Sequence, residues 1–239
     1  MKLKKLWISA ISAMMLITIP AQVGASSNEQ QLNQILTLHG NEITLQELKR
    51  DIASIAVESG ASEQQITAEL LKELESKQTS DIGAYSSGGG GGSKQLATSR
   101  KGTFFYAPAS LGPVNHGHIG IYYTSSVIVE AANSDLGIRK ASVSTRKVGK
   151  GARIQEVKST SISQDSKAAN WAHGKLGKNN YNKNFLKNRS CGGKKFNCSQ
   201  LVWCAFKQVA GIDIDKDKGW GVYPVDIRDS SLVRTIKKY

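Results

Sequence analysis

The stretch NCSQLVWCAFKQVAG, residues 197–211, carries the strongest structural signal in the chain, because it places a cysteine at the first turn of a predicted helix. Apolar residues recur at helical spacing and Gly211 is a suitable helix stop. A buried cysteine is usually a small apolar packing residue. At a helix N-terminus, however, the macrodipole and the exposed N–H groups favour the reactive thiolate. Cys198 is therefore a candidate nucleophile, with simple packing as the alternative.

The first residues indicate export. A lysine-rich start, an apolar run from Leu6 to Pro20 and the A-x-A-like site at 23–25 are typical of a secretory signal peptide. We expect residues 1–25 to be removed and the protein to be secreted. No later run of about 18 apolar residues follows, so we expect no transmembrane segment after signal cleavage.

The mature chain divides into parts of opposite charge. Residues 26–81 hold ten acids and four bases, a net charge of −6, whereas residues 94–239 hold nine acids and 25 bases, a net charge of +16. A Gly/Ser-rich linker is predicted at 82–99, between a helical segment at 26–81 and a larger domain at 100–239. The opposite charges make docking of the two parts reasonable, and the basic surface suits an anionic polymer such as teichoic acid.

The N-terminal segment is predicted to be helical. Capping boxes begin at Thr44 and Ser62, each followed by an apolar helical stripe, and a short helix is expected near Gln31–Leu38. His39 follows in a turn, where we expect it to be solvated. The role of this segment stays open between an inhibitory pro-segment, a targeting module and a partner-binding piece.

The larger domain begins with strand patterns. Short β-branched and aromatic runs predict strands at 102–108, 116–123, 127–132 and 151–158, and a helix is predicted at about 164–176. Strands and helices are segregated along the chain, which favours an α+β fold with an antiparallel sheet and packed helices.

Three cysteines are present, which leaves at least one thiol unpaired in a secreted protein. Cys191 could bridge to Cys204 and leave Cys198 free, but the sequence does not decide the pairing. No Cys/His ligand spacing is present, so no metal site is predicted.

A thiolate nucleophile needs a base, and the base needs an orienting group. His116 and His118 have the same parity in a predicted strand. A three-residue loop centred on Thr124 would place His118 directly opposite Glu130 on the next strand. The three side chains Cys198, His118 and Glu130 can then form a catalytic set. The alternative is a hydrogen-bonded core histidine, a strand-end acid and a packed thiol.

Five motifs in order resemble the circularly permuted NlpC-type papain-like cysteine hydrolases of the YiiX-like group. They are HGHIGIYY at 116–123, VIVEAANSDLGIRK at 127–140, KLGKNNYNKNF at 175–185, FNCSQLVWCAF at 196–206 and YPVDIRDSSLVRTI at 223–236. The resemblance covers roughly residues 100–239 and does not reach the helical segment.

The resemblance implies a permuted papain-like fold in which Cys198 is the nucleophile, His118 the general base and Glu130 the orienting acid. Tyr181 would contribute to the substrate pocket and His116 would line the cleft entrance. For Ser199 a first-turn capping role is expected rather than that of a nucleophile, and Ser199 is counted with Tyr181 and His116 among the substrate-binding residues. No cofactor is implied, and we expect His173 to be solvated on a helix surface.

The leading functional hypothesis is a secreted cysteine amidase or endopeptidase that acts on cell-wall peptide or a similar amide through an acyl-enzyme. A second is a lipid acyltransferase or acyl-ester hydrolase of the same fold family, although no apolar membrane anchor lies near the cysteine. A third is a non-catalytic basic module that binds the wall. The basic residues are not interleaved with a stacking platform, so specific nucleic-acid binding is not expected.

Overall fold

The computed structural model describes residues 22–77, 93–109, 114 and 116–239. The predicted signal peptide, apart from its residues 22–25, lies outside the described residues, and so does the predicted linker over 82–92. Among the described residues, no helix is both long enough and apolar enough to span a membrane.

Three helices form the N-terminal segment: α1 (Gln22–Leu38), α2 (Leu45–Ser59) and α3 (Glu63–Ser76). The capping box at Thr44 is confirmed, since its side chain and that of Glu47 each accept a bond from the other's backbone N–H. The second box is only half formed. The Ser62 hydroxyl accepts from the Gln65 N–H, but the Gln65 side chain donates to Glu69 instead. The first helix also begins earlier than the pattern at 31–38 indicated.

The larger domain has an antiparallel sheet of six strands with helices packed against it, so the predicted α+β class is confirmed. The strands in spatial order are β5 (Gly137–Ser142), β4 (Val127–Asn133), β3 (His118–Tyr122), β2 (Phe104–Ala107), β7 (Arg153–Val157) and β8 (Val233–Lys238). The helices are α4 (Ile162–His173), α5 (Cys198–Ala210) and α6 (Pro224–Arg228).

Helix α5 is the centre of the fold. It packs against β3, β4 and α4, and its apolar face is fully buried at Leu201, Val202, Ala205 and Phe206. The Phe206 ring meets Phe104 of β2 edge-on at 6.1 Å between centroids. Because an amphipathic helix is stabilised mainly by burying its apolar face, this packing also fixes where the helix N-terminus, and hence Cys198, lies relative to the sheet.

The boundary of the predicted linker is wrong at its C-terminal end. Lys94–Gln95 forms a short strand, β1, that pairs with β6 (Lys147–Val148), and Leu96 is buried in a small core on the outer face of the sheet. Residues 93–99 therefore belong to the larger domain. A strand of two residues is too short to show the alternation of apolar and polar residues that predicts strands. The prediction of a linker here therefore depended on composition alone.

The register between β3 and β4 differs from the prediction by two residues. Ile121 pairs with Val129, which places Gly120, and not His118, opposite Glu130. The turn is centred one residue later than predicted, because the backbone N–H groups of Tyr123 and Thr124 both donate to the Val127 carbonyl and leave 124–126 as the loop. His118 and Glu130 are therefore diagonal neighbours.

One disulfide joins Cys191 to Cys204, with 5.5 Å between their Cα atoms, and Cys198 is the free cysteine. The structure thus selects the pairing that the sequence left open. The bridge ties the loop before α5 to the middle of that helix.

The helical segment packs against the larger domain, and their buried apolar residues form one continuous core. Acidic side chains of the segment meet donors of the domain, as the opposite charges suggested. Glu73 accepts from the backbone N–H groups of Trp220 at 3.0 Å and Gly221 at 3.1 Å. Glu58 accepts from the Lys187 ammonium at 2.7 Å.

We expect Gly120→Ala to lower the free energy of unfolding by about 1–3 kcal/mol, because overpacking of a filled site costs that much. A Cβ at residue 120 would lie 2.7 Å from Cε1 of Phe105 and 3.1 Å from Cβ of Glu130. Urea denaturation measures the change. Gly192→Ala is the control, since a Cβ there meets nothing within 4 Å; equal stability of the two variants would contradict the tight packing at Gly120.

Candidate active site

Cys198 is the first residue of α5 and is 3% exposed. The preceding Asn197 caps the helix by accepting from the Gln200 N–H, while the Gln200 side chain accepts from the Asn197 N–H. The backbone N–H groups of a first helical turn have no partner within the helix. The sulfur therefore lies where N–H groups and the positive end of the helix dipole converge.

The start of α5 is anchored by buried polar contacts. The Asn197 amide donates to the Asn184 carbonyl at 3.0 Å, and the Ser199 hydroxyl donates to the Val222 carbonyl at 2.6 Å. Ser199 is fully buried, so the structure does not support its expected place at the substrate site. Its hydroxyl holds the helix to the chain segment near Val222.

His118 contacts both of the other predicted catalytic side chains. Its Nε2 lies 2.8 Å from Oε2 of Glu130, and the Cys198 side chain lies close enough to the ring to help raise the pKa of His118. Because Glu130 occupies Nε2, Nδ1 is the ring nitrogen left for the sulfur. Only 12% of the His118 side chain is exposed. The three residues therefore form one cluster, with the histidine between the cysteine and the glutamate.

Glu130 is fully buried and is surrounded by cations. Its Oε1 accepts from Arg139 at 3.0 and 3.1 Å, and its Oε2 accepts from Arg146 as well as facing His118. Burial opposes ionisation of Glu130, but the contacts with His118 and the two arginines outweigh it and lower the pKa of Glu130 to about 2. The carboxylate is thus ionised throughout the physiological range.

The same contacts set the charge of His118. Burial opposes protonation of the ring, but the interactions with Cys198 and Glu130 outweigh it and raise the pKa of His118 to about 9. At neutral pH the ring is therefore an imidazolium with two N–H donors. One donor faces the Glu130 carboxylate, and the other is available to the Cys198 sulfur.

We expected His116 to line the entrance of a cleft. In the structure it is instead buried between the helical segment and the larger domain. Its ring lies 5.4 Å from those of Phe185 and Tyr223 and 6.4 Å from that of His39. His39 is likewise buried and not solvated, and its Nε2 accepts from the Phe185 N–H at 3.2 Å. Burial lowers the pKa of His116 to about 3 and that of His39 to about 4. Both rings are neutral packing residues.

His173 is not simply solvated either. Its ring stacks on Tyr123 with 4.0 Å between centroids and 13° between planes. The sequence pattern missed this contact because Tyr123 lies just beyond the end of β3.

Tyr181 lines a cavity of about 610 Å³ between the helical segment and the larger domain. Burial, followed by the nearby Cys198 sulfur, raises the pKa of Tyr181 above its ordinary range. Other walls of the cavity come from Glu42, Asp51 and Asn182. The structure therefore brings Tyr181 near the candidate nucleophile and places part of the helical segment across the same cavity.

Arg139 and Arg146 were not identified from the sequence. Arg139 is directly opposite Glu130 across the β4–β5 hairpin, and the run EAANSDLGIRK contains that hairpin as a polar turn between two strand patterns. A buried acid in an apolar strand needs a cationic partner, so Arg139 could have been found by pairing the strands. Arg146 follows a short 3-10 helix, Val143–Thr145, and had no such signal.

The fold and the cluster define a class: an α+β protein with a free cysteine, a histidine and a glutamate joined at a helix N-terminus. The chain is 38% identical over 201 residues to uncharacterized protein YycO of Bacillus subtilis (strain 168), with 81% of this chain and 80% of YycO covered. The chain therefore belongs to the YycO family.

No family model matches the chain. The crystal structure of the metalloprotein YiiX from Escherichia coli O157:H7 is similar at 17% identity and a TM-score of 0.44, covering 61% of this chain and 99% of YiiX. The permuted NlpC-type papain-like assignment stays a prediction.

The raised pKa of His118 gives a test of the cluster. Because the folded value of about 9 lies above the ordinary 6.5, the stabilisation from protonated His118 is complete below pH 6.5 and is lost as the pH rises through 9. NMR of ring-labelled histidine should show a titration midpoint near 9 for His118. Glu130→Gln should lower that midpoint, because it removes the charge that stabilises the imidazolium. His173→Ala is the control, and an unchanged midpoint in Glu130→Gln would contradict the ion pair.

Proposed function

We propose that the protein is a secreted cysteine hydrolase that cleaves an amide bond, with cell-wall peptide as the substrate. The observation that carries the proposal is the contact of one imidazole, His118, with both the Cys198 thiol and the buried Glu130 carboxylate. A nucleophile, a base and an orienting group in hydrogen-bond contact are what covalent catalysis at a carbonyl requires.

The charge state of His118 suits an amide substrate. The Cys198 thiolate attacks the carbonyl carbon, and N–H groups at the start of α5 stabilise the oxyanion. The tetrahedral intermediate collapses when the His118 imidazolium gives its proton to the leaving nitrogen, so that an amine departs and a thioester remains on Cys198. Amines are poor leaving groups unless protonated, and a ring with a pKa of about 9 carries that proton at neutral pH.

The second half of the cycle uses the neutral ring as a base. His118 takes a proton from water, the resulting hydroxide attacks the thioester carbonyl, and the acid product leaves. The sulfur departs as a thiolate, and the proton on His118 restores the starting ion pair. The Glu130 carboxylate holds the His118 ring in the same orientation in both half-reactions, because Arg139 and Arg146 fix that carboxylate in place.

Three further features support the location and the substrate class. The predicted signal peptide directs export, and a disulfide between Cys191 and Cys204 suits an oxidising compartment. The net charge of +16 over residues 94–239 favours binding to the anionic polymers of a cell wall, teichoic acid among them. The cavity at Tyr181 is the proposed substrate site.

We expect Cys198 to be the cysteine that a small thiol electrophile labels under non-reducing conditions, since the other two are disulfide-bonded. At pH 6–7 labelling of the native chain should be fast because of the ion pair. His118→Ala should remove that reactivity and leave a rate that rises only near pH 8.5, the ordinary range for a thiol. Mass mapping over a pH series measures this. An identical pH profile in native protein and His118→Ala would contradict the catalytic pair.

Hydrolysis is tested on peptide fragments of bacterial cell wall, with release of new amino groups as the readout and intact-protein mass to detect the acyl-enzyme. Cys198→Ala should abolish turnover, and His118→Ala should lower kcat/KM by about 10²–10⁴-fold. His173→Ala is the matched control and should stay within about twofold of the native rate. The proposal would be overturned if Cys198→Ala kept native activity. Turnover of phospholipid in place of peptide would favour the acyltransferase alternative.

A further inference from the structure

A second cluster of ionisable groups lies where the end of α3 meets the larger domain. The loop after α5 carries Asp213, Asp215 and Asp217 at alternate positions, and α6 adds Asp226. Arg189 binds Asp213 at 2.9 Å and also Asp215. The proposed hydrolysis uses none of these residues.

The Lys77 ammonium, from the helical segment, holds the other side of the cluster. It binds Asp226 at 2.7 Å and also Asp217, and its side chain is only 4% exposed. Lys77 follows directly after α3. A cation from one part of the chain is thus enclosed by carboxylates from the other.

The carboxylates are spaced for a metal ion. One ligand oxygen from each of Asp215, Asp217 and Asp226 lies within 4.8 Å of the other two. Calcium binds oxygen at about 2.4 Å, so two of its ligands are at most about 4.8 Å apart. All three donors are carboxylate oxygens, the ligand type that calcium prefers over the nitrogen and sulfur favoured by zinc.

Two buried oxygens in this cluster are unpartnered. Oδ1 of Asp215 and Oδ2 of Asp226 have no hydrogen-bond partner within the described part of the chain, and the two residues are 3% and 5% exposed. The buried hydroxyl of Tyr223, whose ring lies 5.3 Å from the Lys77 ammonium, has no partner there either. Leaving carboxylate oxygens buried and unsatisfied is costly, so one ammonium and one guanidinium do not complete the site.

We propose that Asp215, Asp217 and Asp226 form a binding site for calcium, which competes with the Lys77 ammonium for the same position. A divalent ion brings twice the charge of an ammonium and can bind several oxygens of the three carboxylates together. Because Lys77 is almost fully buried in the site, its displacement requires the end of α3 to move. Calcium binding and docking of this end of the helical segment therefore oppose each other.

The test uses the secreted chain with Tb³⁺ as the probe, followed by displacement with Ca²⁺. Trp203 and Trp220 lie beside the loop, where their indole N–H groups donate to Asp213 and Glu69, so both can sensitise terbium luminescence. Lys77→Met should bind both ions at least tenfold more tightly than the native chain, because the competing ammonium is gone. Asp226→Asn in the Lys77→Met background should weaken binding by at least tenfold.

Lys72→Met is the matched control, since Lys72 is an exposed lysine of α3, close in sequence to Lys77, and the affinity of this variant should equal that of the native chain. Circular dichroism shows whether each variant is folded. The proposal is overturned if millimolar Ca²⁺ displaces no terbium from folded Lys77→Met. It is equally overturned if Lys77→Met and Lys72→Met bind calcium with the same affinity.

Discussion

The buried carboxylate of Glu130 is the charge around which the candidate site is built. Glu130 lies on β4, an inner strand of the sheet, and has no exposed surface, so an unpaired charge there would be strongly destabilising. His118, Arg139 and Arg146 together compensate it. Removing one partner from a buried pair typically costs about 3–5 kcal/mol. The orientation of the imidazole is therefore a consequence of satisfying this carboxylate, and the proposed chemistry at Cys198 depends on that orientation.

Packing of α5 supplies the other half of the geometry. The helix buries its apolar face against β3 and β4, and capping by Asn197 fixes the first turn beside the His118 ring. Gly120 lets the strands and Phe105 close tightly at this point, because a Cβ there would collide with both Phe105 and Glu130. The position of Cys198 relative to the His118 ring thus depends on both the packing of α5 and the close approach of the strands at Gly120.

The helical segment is part of the same structural unit. It shares the core, carries one wall of the cavity at Tyr181 and inserts Lys77 among buried carboxylates of the larger domain. The proposed substrate site is therefore bounded in part by this segment, and Lys77 is one of its anchors to the larger domain. The negative charge of the segment and the positive charge of the domain favour this docking.

The sequence by itself determined the α+β class, the helix that starts at Cys198 and the capping box at Thr44, because these depend on local period and capping chemistry. It singled out Cys198, His118 and Glu130 with the help of a family resemblance, since the predicted register that paired the last two was wrong. It failed where the outcome depends on contacts between distant segments. The β3–β4 register was two residues off, since turn hydrogen bonds at Tyr123 and Thr124 centre the turn one residue later than predicted. His39 and His116 are buried only because the helical segment docks over them, and Arg146 reaches Glu130 only through the folded sheet. Tertiary packing alone decided these, because the free energy of burying a polar or charged group depends on the partners that the whole fold brings to it.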